Sequence, residues 1–384
     1  MKTKLFFHIG QAKTGSSAIQ AFLNCNRNTL AKKFHVLYPN FSEKDFSKGT
    51  QHNHEQIFTN SHRNNDYAMC IQTFINCKEY CERNEITKLV ISLEGFDWNW
   101  WPSLLKQIVD ELELEYEFIL YLKRQDLWIE SAWKQWGHKD SKYTSIIDFS
   151  LKQDMYWNKV LNQWLNFFEP DVFIIRPFEK NVIGDDVVND FLEIIGITNR
   201  KDLLEPPDNN LTVNAGLSPV VIEILRKCNY MLDSPHDNNL LDFMYARLPD
   251  KFKKKDPFSS YGFLTFEQRK QIVEMYAQSN LEISNRFFGE ERKALFFDPI
   301  DQDNDSKVFS GLTLDNTIPV IMELFIQLSN EIYLLKQNNN SNHSKKMQLN
   351  SDYIFCNIFT TKVICEKIDL INSKIKAYFL KRHL

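Results

Sequence analysis

Long hydrophobic runs are missing from this chain of 384 residues. No apolar run approaches the roughly 20 residues that a membrane-spanning helix needs. The N-terminal apolar run, Leu5 to Phe7, is too short for the core of a signal peptide. These absences predict a cytoplasmic protein, and peripheral attachment at the inner face of the membrane is a further expectation.

Regular cysteine spacing and an excess of positive charge are also missing. Seven cysteines without a regular pattern are typical of reduced thiols rather than of a disulfide framework. The net charge of −4 argues against a general nucleic-acid-binding protein. No cysteine and histidine set has the spacing of a zinc site, and the acidic stretch 301–305 lacks the glycine and glutamate of a calcium loop. We therefore expect no metal requirement.

Short apolar runs and helical spacing predict the fold. Buried parallel strands are expected at residues 5–9, 89–93, 118–122 and 172–175. Stretches with helical periodicity separate them, which is typical of βαβ units. We therefore predict an α/β three-layer sandwich around a central parallel sheet, with a mostly helical second half. Ser218-Pro219 and the capping box at Thr265 mark two helix starts there.

A glycine loop follows the first predicted strand. Gly10 and Gly15 have the spacing of a Walker A loop, and a helix opens near Gly15. The residue after the second glycine is Ser16, where a Walker loop has lysine. The lysine lies inside the loop instead, at Lys13. This argues against an ordinary ATPase or kinase.

A second phosphate-binding pattern follows the strand at 118–122. Lys123 and Arg124 stand at the strand end, and Asp126 is expected to cap the next helix. Ser131 then falls in the early turns of that helix. A basic residue at a strand end and an early helical serine can grip one phosphate together.

These two segments resemble the phosphate motifs of sulfotransferases that use 3′-phosphoadenosine-5′-phosphosulfate (PAPS), in the P-loop sulfotransferase fold. The resemblance implies that Lys13 contacts the 5′-phosphate and steadies the leaving oxygen. It assigns the same phosphate to Thr14, Gly15, Ser16 and Ser17. The 3′-phosphate would be held by Ser131 with Arg124, whose planar fork suits phosphate, or with Lys123 as the alternative.

Later segments resemble the bacterial branch of the same family, which often acts on polysaccharides. They lie at residues 176–179, 214–218 and 264–296, so the resemblance covers about residues 1–298. It implies transfer of a sulfuryl group from PAPS to a carbohydrate hydroxyl, leaving the desulfated product PAP. The alternatives are a P-loop kinase-like enzyme and a catalytically silent module that binds nucleotide or glycan.

Two residues are candidates for the general base that accepts the acceptor proton. His54 has a side chain that titrates near neutral pH, and an Asn-His pair at this place resembles the bacterial branch. Glu94 ends a predicted strand, where open α/β sheets bind ligands, and heparan-type branches use a glutamate comparably. We expect both to line the site, with His54 slightly favoured. Trp98, Trp100 and Trp101 follow Glu94 and could stack on a sugar, although core packing is favoured.

The chain after residue 300 has a different character. We divide the protein into a sulfotransferase-like catalytic domain at 1–300 and a C-terminal extension at 301–384. The extension contains an Asn/Ser-rich linker at 337–344. From residue 336 onward, nine Lys/Arg against three Asp/Glu leave a charge of about +6. The spacing of apolar residues predicts a basic amphipathic helix at 363–379, which we expect to dock on its own core or a partner chain, or alternatively on an anionic membrane.

Overall fold

The computed structural model describes residues 2–51, 53–198, 217–253, 262–300 and 308–342, with side chains described through residue 335. Within them, five strands form one parallel sheet in the order β2-β3-β1-β4-β5. The strands are β1 (Lys4–Gly10), β2 (Val36–Leu37), β3 (Lys88–Glu94), β4 (Glu115–Leu122) and β5 (Phe173–Pro177). The predicted α/β fold and its four apolar strands are confirmed. Sequence reasoning missed β2 because two residues form no recognisable run.

Helices connect the strands and contain most of the other described residues. The first half contains α1 (Ser16–Cys25), α2 (Arg27–Phe34), α3 (Glu55–Asn64), α4 (Tyr67–Arg83), α5 (Trp101–Leu112), α6 (Gln125–Gln135), α7 (Ile146–Leu151) and α8 (Trp157–Trp164). After β5 come α9 (Lys180–Ile183), α10 (Val187–Ile194), α11 (Pro219–Lys227), α12 (Asn239–Arg247), α13 (Phe266–Met275), α14 (Ala277–Phe288) and α15 (Leu314–Asn342). Both predicted helix starts are confirmed: Ser218 precedes Pro219 at the start of α11, and Thr265 makes a capping box with Gln268.

Helices cover both faces of the sheet. On one face, Phe6 of β1 belongs to a buried cluster with Ile19 of α1 and Phe191 of α10. On the other face, the ring of Phe7 lies 6.4 Å from the ring of Phe74 in α4. Neighbouring strand residues point to opposite faces, so the two layers of helices bury both sides of the sheet. The central strand β1 is therefore buried on both faces, and the loop after it is held in place.

The last described helix, α15, corrects the expectation about membrane spans. Its stretch Leu314–Leu335 is long and apolar enough to cross a membrane, by length and composition alone, and almost none of it is buried. Glu323 and Glu331 break this stretch into short apolar runs in the sequence, which hid its overall apolar character. Its exposed large side chains are Leu314, Ile318, Ile321, Met322, Phe325, Ile326, Ile332, Tyr333, Leu334 and Leu335.

The chain divides into two compact units, Met1–Ile321 and Met322–Leu384. The first unit contains the whole sheet and helices α1 to α14. The division at residue 300, which rests on composition, stays a prediction. Helix α15 continues through residues 337–342, the first part of the predicted linker, because adding residues to an existing helix costs little. The predicted segments 214–216 and 363–379 lie outside the described residues.

Candidate functional site

The loop after β1 requires both of its glycines. A Cβ atom on Gly10 would lie 2.5 Å from the Ser16 hydroxyl oxygen, and one on Gly15 would lie 2.8 Å from Cγ1 of Val187. Gly15 also has a φ angle of 84°, in the left-handed region that glycine tolerates. The chain therefore turns sharply at Gly15, and α1 begins at Ser16.

The start of α1 presents backbone amides beyond the end of β1. The first intrahelical hydrogen bonds come from the Ala18 and Ile19 amides, which donate to the Gly15 carbonyl at 2.9 and 3.2 Å. The amides of Ser16 and Ser17 precede these bonds, at the positive end of the helix dipole. A strand, a glycine turn and a helix start in this order form an anion-binding arrangement. Ser16 and Ser17 lie where the sequence predicts the 5′-phosphate contact.

Lys13 has an unusual backbone for a lysine. Its φ angle is 73°. Residues other than glycine rarely adopt this backbone conformation, and those that do cluster at functional sites. Its ammonium group donates a hydrogen bond to Oε1 of Gln135 and lies 6.0 Å from the Trp136 ring. Burial lowers the pKa of Lys13, and the nearby carboxylate of Glu94 opposes that shift.

The loop is fixed by hydrogen bonds to its carbonyl groups and to Gln11. The Thr14 hydroxyl donates to the Gln11 carbonyl at 2.7 Å, so this predicted phosphate contact is used inside the loop. The indole N–H of Trp128, from α6, donates to the Ala12 carbonyl at 2.9 Å. The backbone N–H of Lys123 donates to Oε1 of Gln11 at 2.9 Å. The β1 loop and the start of α6 are therefore built against each other.

The side chain of Lys123 connects the two predicted phosphate-binding segments. Its ammonium nitrogen lies 3.3 Å from the Lys13 carbonyl oxygen and 3.1 Å from the Ser131 hydroxyl oxygen. The same nitrogen lies 5.2 Å from the ring of Phe178. One buried cation thus contacts both the glycine loop and Ser131, the seventh residue of α6, so the two segments lie side by side.

Arg124 has partners of its own in the protein, whereas Lys123 contacts Ser131, so the geometry favours Lys123 over Arg124 as the 3′-phosphate ligand. The Arg124 side chain is buried and forms an ion pair with Asp126 at 2.7 Å, and it also donates to the Asp298 carbonyl. Asp126 does not cap α6. That helix begins at Gln125, and the Asp126 carboxylate pairs with Arg124 and, at 3.3 Å, with Arg269. The predicted cap is wrong because the carboxylate is used by Arg124, two residues before it, and by Arg269, a residue far along the chain.

Glu94 lies beside the glycine loop. It ends β3 directly opposite Gly10 in the parallel register, and a Cβ atom on Gly10 would lie 3.2 Å from its Cγ. Burial raises the pKa of Glu94, while Lys13 and the Ser16 hydroxyl lower it and Glu55 raises it further. A half-buried carboxylate next to a lysine of the loop is suited to accept a proton.

His54 is not arranged as a base. It is fully buried, and its ring nitrogens are both used: Nε2 lies 2.9 Å from the Pro39 carbonyl oxygen, and Nδ1 accepts from the Ser92 amide at 3.0 Å. Burial lowers its pKa to about 3, so the ring is neutral. The His54 ring therefore joins β3 to the 39–54 loop. The prediction that His54 is the favoured base is corrected.

Sequence reasoning missed the contacts that the segment 292–298 makes with Glu179 and Arg124. The buried carboxylate of Glu179 accepts hydrogen bonds from the amides of Phe297 and Asp298 at 2.8 to 2.9 Å. Arg124 holds the carbonyl of Asp298 from β4's end. The separations of more than 100 residues gave no local signal. Gln135, the partner of Lys13, was missed for the same reason.

Comparisons with known proteins leave the family open. No protein-family model matches the chain. An uncharacterized protein of Archaeoglobus fulgidus is 27% identical over 176 residues, which is 45% of this chain and 46% of that protein. The chain therefore matches less than half the length of this curated relative.

Two solved structures are similar over about half of the chain. A sulfotransferase from Alicyclobacillus acidocaldarius is 15% identical with a TM-score of 0.31, covering 52% of this chain and 83% of that one. The sulfotransferase domain from the curacin biosynthetic pathway is 14% identical with a TM-score of 0.30, covering 54% of this chain and 78% of that one. At these scores, the two likenesses carry no argument about this chain's activity.

Proposed function

We propose that this protein transfers a sulfuryl group from PAPS to a hydroxyl group of a carbohydrate-type acceptor. The observation that carries the proposal is the position of Lys123, whose ammonium nitrogen lies 3.3 Å from the Lys13 carbonyl and 3.1 Å from Ser131. This contact brings together two segments that the sequence separately predicts to bind phosphate. A donor with phosphates at both ends of one adenosine would use both segments.

The residues of these two segments have complementary roles in this proposal. Lys13 and the amides of Ser16 and Ser17 hold the 5′-phosphate end, and Lys123 with Ser131 holds the 3′-phosphate end. The donor supplies an activated sulfuryl group. The acceptor oxygen forms a bond to sulfur while the bond from sulfur to the phosphate oxygen breaks, and PAP leaves with the electron pair. Lys13 neutralises the charge that builds on this leaving oxygen.

Glu94 completes the proposal as the general base. It takes the proton of the acceptor hydroxyl, and its pKa, raised by burial, makes it a stronger base than an exposed carboxylate. It lies beside Gly10 and exerts an electrostatic effect on Lys13, so base and leaving-group cation flank the same loop. We expect no metal to be needed, because lysine and backbone amides supply the positive charge.

The two alternatives predict different ligands. A P-loop kinase would need a cation after the second glycine, and the residue there is the buried Ser16. A silent binding module would bind nucleotide without turnover. The combination of Glu94 and Lys13 at one loop favours an enzyme over such a module.

Calorimetric titration with PAP and with ATP–Mg²⁺ tests the proposal. We expect PAP to bind far more tightly, and Lys13→Ala to weaken PAP roughly ten- to hundredfold, the value of a hydrogen bond to a charged group. Lys142 is an exposed lysine paired with Asp140, so Lys142→Ala is the matched control and should bind PAP as the unaltered protein does. Equal binding of PAP and ATP, or no PAP binding by folded protein, would refute the proposal.

We also propose that the protein works in the cytoplasm, at the inner face of the membrane. The exposed apolar stretch Leu314–Leu335 and the charge of about +6 from residue 336 onward support attachment to an anionic lipid surface.

A further inference from the structure

Four aromatic side chains form a row next to Glu94, which we call the aromatic ladder: His62, Tyr67, Trp98 and Trp100. The rings of His62 and Trp100 are stacked at 4.1 Å with an interplanar angle of 3°. Trp98 stacks on Trp100 at 5.3 Å and 17°, and His62 lies 6.3 Å from Tyr67 at 19°. The four rings are therefore nearly parallel along the row.

The ladder is not part of the core. His62 is exposed, and the other three side chains are half-buried, whereas Trp101 next to them is fully buried against Phe58 and Trp164. The described residues offer no acceptor for the indole N–H groups of Trp98 and Trp100. Stacked aromatic rings with exposed polar edges are typical of recognition surfaces rather than of a folding core.

The ladder begins at the candidate base. A Cβ atom on Gly95, the residue after Glu94, would lie 2.8 Å from the Trp98 ring. Its other end is Tyr67, the first residue of α4, whose ring stacks on that of His62 in α3. A chain-like acceptor lying on the ladder would run toward the end of β3, where Glu94 lies.

We propose that the aromatic ladder is the acceptor subsite and that it binds the sugar rings of a neutral oligosaccharide; this inference rests on the proposed function. Sugar rings combine apolar C–H faces with hydroxyl groups, which match aromatic rings with polar edges. Glu94 and Asp97 are the acidic residues that shortly precede Trp98 in the chain, and they would repel a polyanionic glycan at that end of the ladder. The ladder thus selects the class of acceptor, while Glu94 acts on the hydroxyl that reaches it.

Titration calorimetry of the full-length protein with defined hexasaccharides tests the subsite. The probes are chitohexaose, cellohexaose and maltohexaose as neutral glycans, and a chondroitin hexasaccharide as the acidic one. We expect at least one neutral probe to bind, and His62→Ala and Trp100→Ala each to weaken it by about tenfold. Trp100→Phe should retain most of the affinity. Tyr230→Ala, an exposed aromatic residue outside the ladder, should bind as the unaltered protein does.

The outcomes separate this inference from the proposed function. PAP affinity is measured on the same samples, and it should be unchanged in the ladder variants. If PAP binds but no neutral probe does, or if both ladder variants bind the glycan normally, the ladder is not the acceptor subsite. Ladder-dependent binding of the chondroitin probe alone would also overturn it. His62 is exposed, so its variant gives a readout even where Trp100→Ala fails to fold.

Discussion

At the scale of single residues, the neighbouring cations Lys123 and Arg124 have different partners. The ammonium group of Lys123 contacts the Lys13 carbonyl and Ser131. Arg124, the next residue, pairs with Asp126. Both side chains are buried, so their hydrogen-bond and ion-pair partners, rather than their exposure, distinguish the two cations.

Substituting these two cations separates binding from stability. We expect Lys123→Ala to weaken PAP binding by roughly ten- to hundredfold in protein that still folds, because it removes the cation next to Ser131. Arg124→Ala should instead lower the free energy of unfolding by about 3 kcal/mol, because it leaves the buried Asp126 with one partner fewer. Calorimetry and urea denaturation measure the two effects. The reverse pattern, with PAP binding lost only in folded Arg124→Ala, would restore Arg124 as the phosphate ligand.

Glu94 should set the acidic limb of the pH profile. Only the carboxylate accepts a proton, and burial raises its pKa above 4.5, so kcat should fall as the pH drops through that raised pKa. Glu94→Gln should lower kcat by ~10²–10⁴ while PAP still binds. The measurement is PAP release from PAPS with the best-binding oligosaccharide.

Glu55→Gln is the matched control for Glu94. The negative charge of Glu55 raises the pKa of Glu94, so its removal should move the acidic limb to lower pH without a loss of kcat. Turnover that survives in Glu94→Gln, or a limb near pH 3 where His54 titrates, would exclude Glu94 as the base.

The sequence alone predicted the glycine turn of the candidate site. Gly10, Lys13 and Gly15 are close in the chain, and local steric rules give their turn. The base was harder to choose because the chemistry of histidine says nothing about its burial. His54 could be assigned only once Pro39 and Ser92 were seen on its two nitrogens.

At the scale of elements, a buried group of charges joins α6 to α13. Arg269 of α13 pairs with Asp126 at 3.3 Å and with Glu130, and Lys134 lies 3.4 Å from the same Glu130. Glu130 also accepts from the Phe263 amide at 2.8 Å. The helix that contains Ser131 is therefore fixed through residues more than 130 positions away.

Removing Arg269 tests this connection. Arg269→Ala leaves two buried carboxylates short of a partner, and we expect the free energy of unfolding to fall by about 3–5 kcal/mol in urea denaturation. The next residue, Lys270, is exposed and makes only a long surface contact with Glu274 at 3.9 Å. Lys270→Ala should therefore change stability by less than about 0.5 kcal/mol. Similar effects for both variants would show that the buried charges do not hold α6.

The elements themselves were largely predictable, whereas their pairing was not. Apolar runs gave β1, β3, β4 and β5, and capping residues gave the starts of α11 and α13. Which element pairs with which depends on contacts between distant residues, such as Arg269 with Glu130. No periodicity within either helix contains that information.

At the scale of the whole molecule, the exposed apolar helix predicts binding to lipid. We expect the full chain to float with vesicles of phosphatidylglycerol and phosphatidylcholine, and much less with phosphatidylcholine alone. The attraction between the basic end of the chain and anionic lipid should weaken in 0.5 M salt. Phe325→Glu, within the apolar stretch, should reduce flotation, and Tyr230→Glu outside it should not.

Two results would contradict peripheral attachment. If the protein stays at the bottom of the gradient in the presence of anionic vesicles, the apolar helix is covered by something other than lipid. Chain that resists extraction by alkaline carbonate would show that Leu314–Leu335 is inserted across the bilayer.

The 292–298 segment has a consequence for how the protein is made. Glu179 and Arg124 reach their partners there across 118 to 174 positions of the chain. On the ribosome, β1, its glycine loop and the start of α6 emerge long before Asp298 does. The nascent chain therefore passes through a stage at which every strand of the described sheet has been synthesised while Glu179 and Arg124 still lack these backbone partners. The partners become available only when residues 297 and 298 emerge, so the contacts that join this segment to the end of the sheet form late.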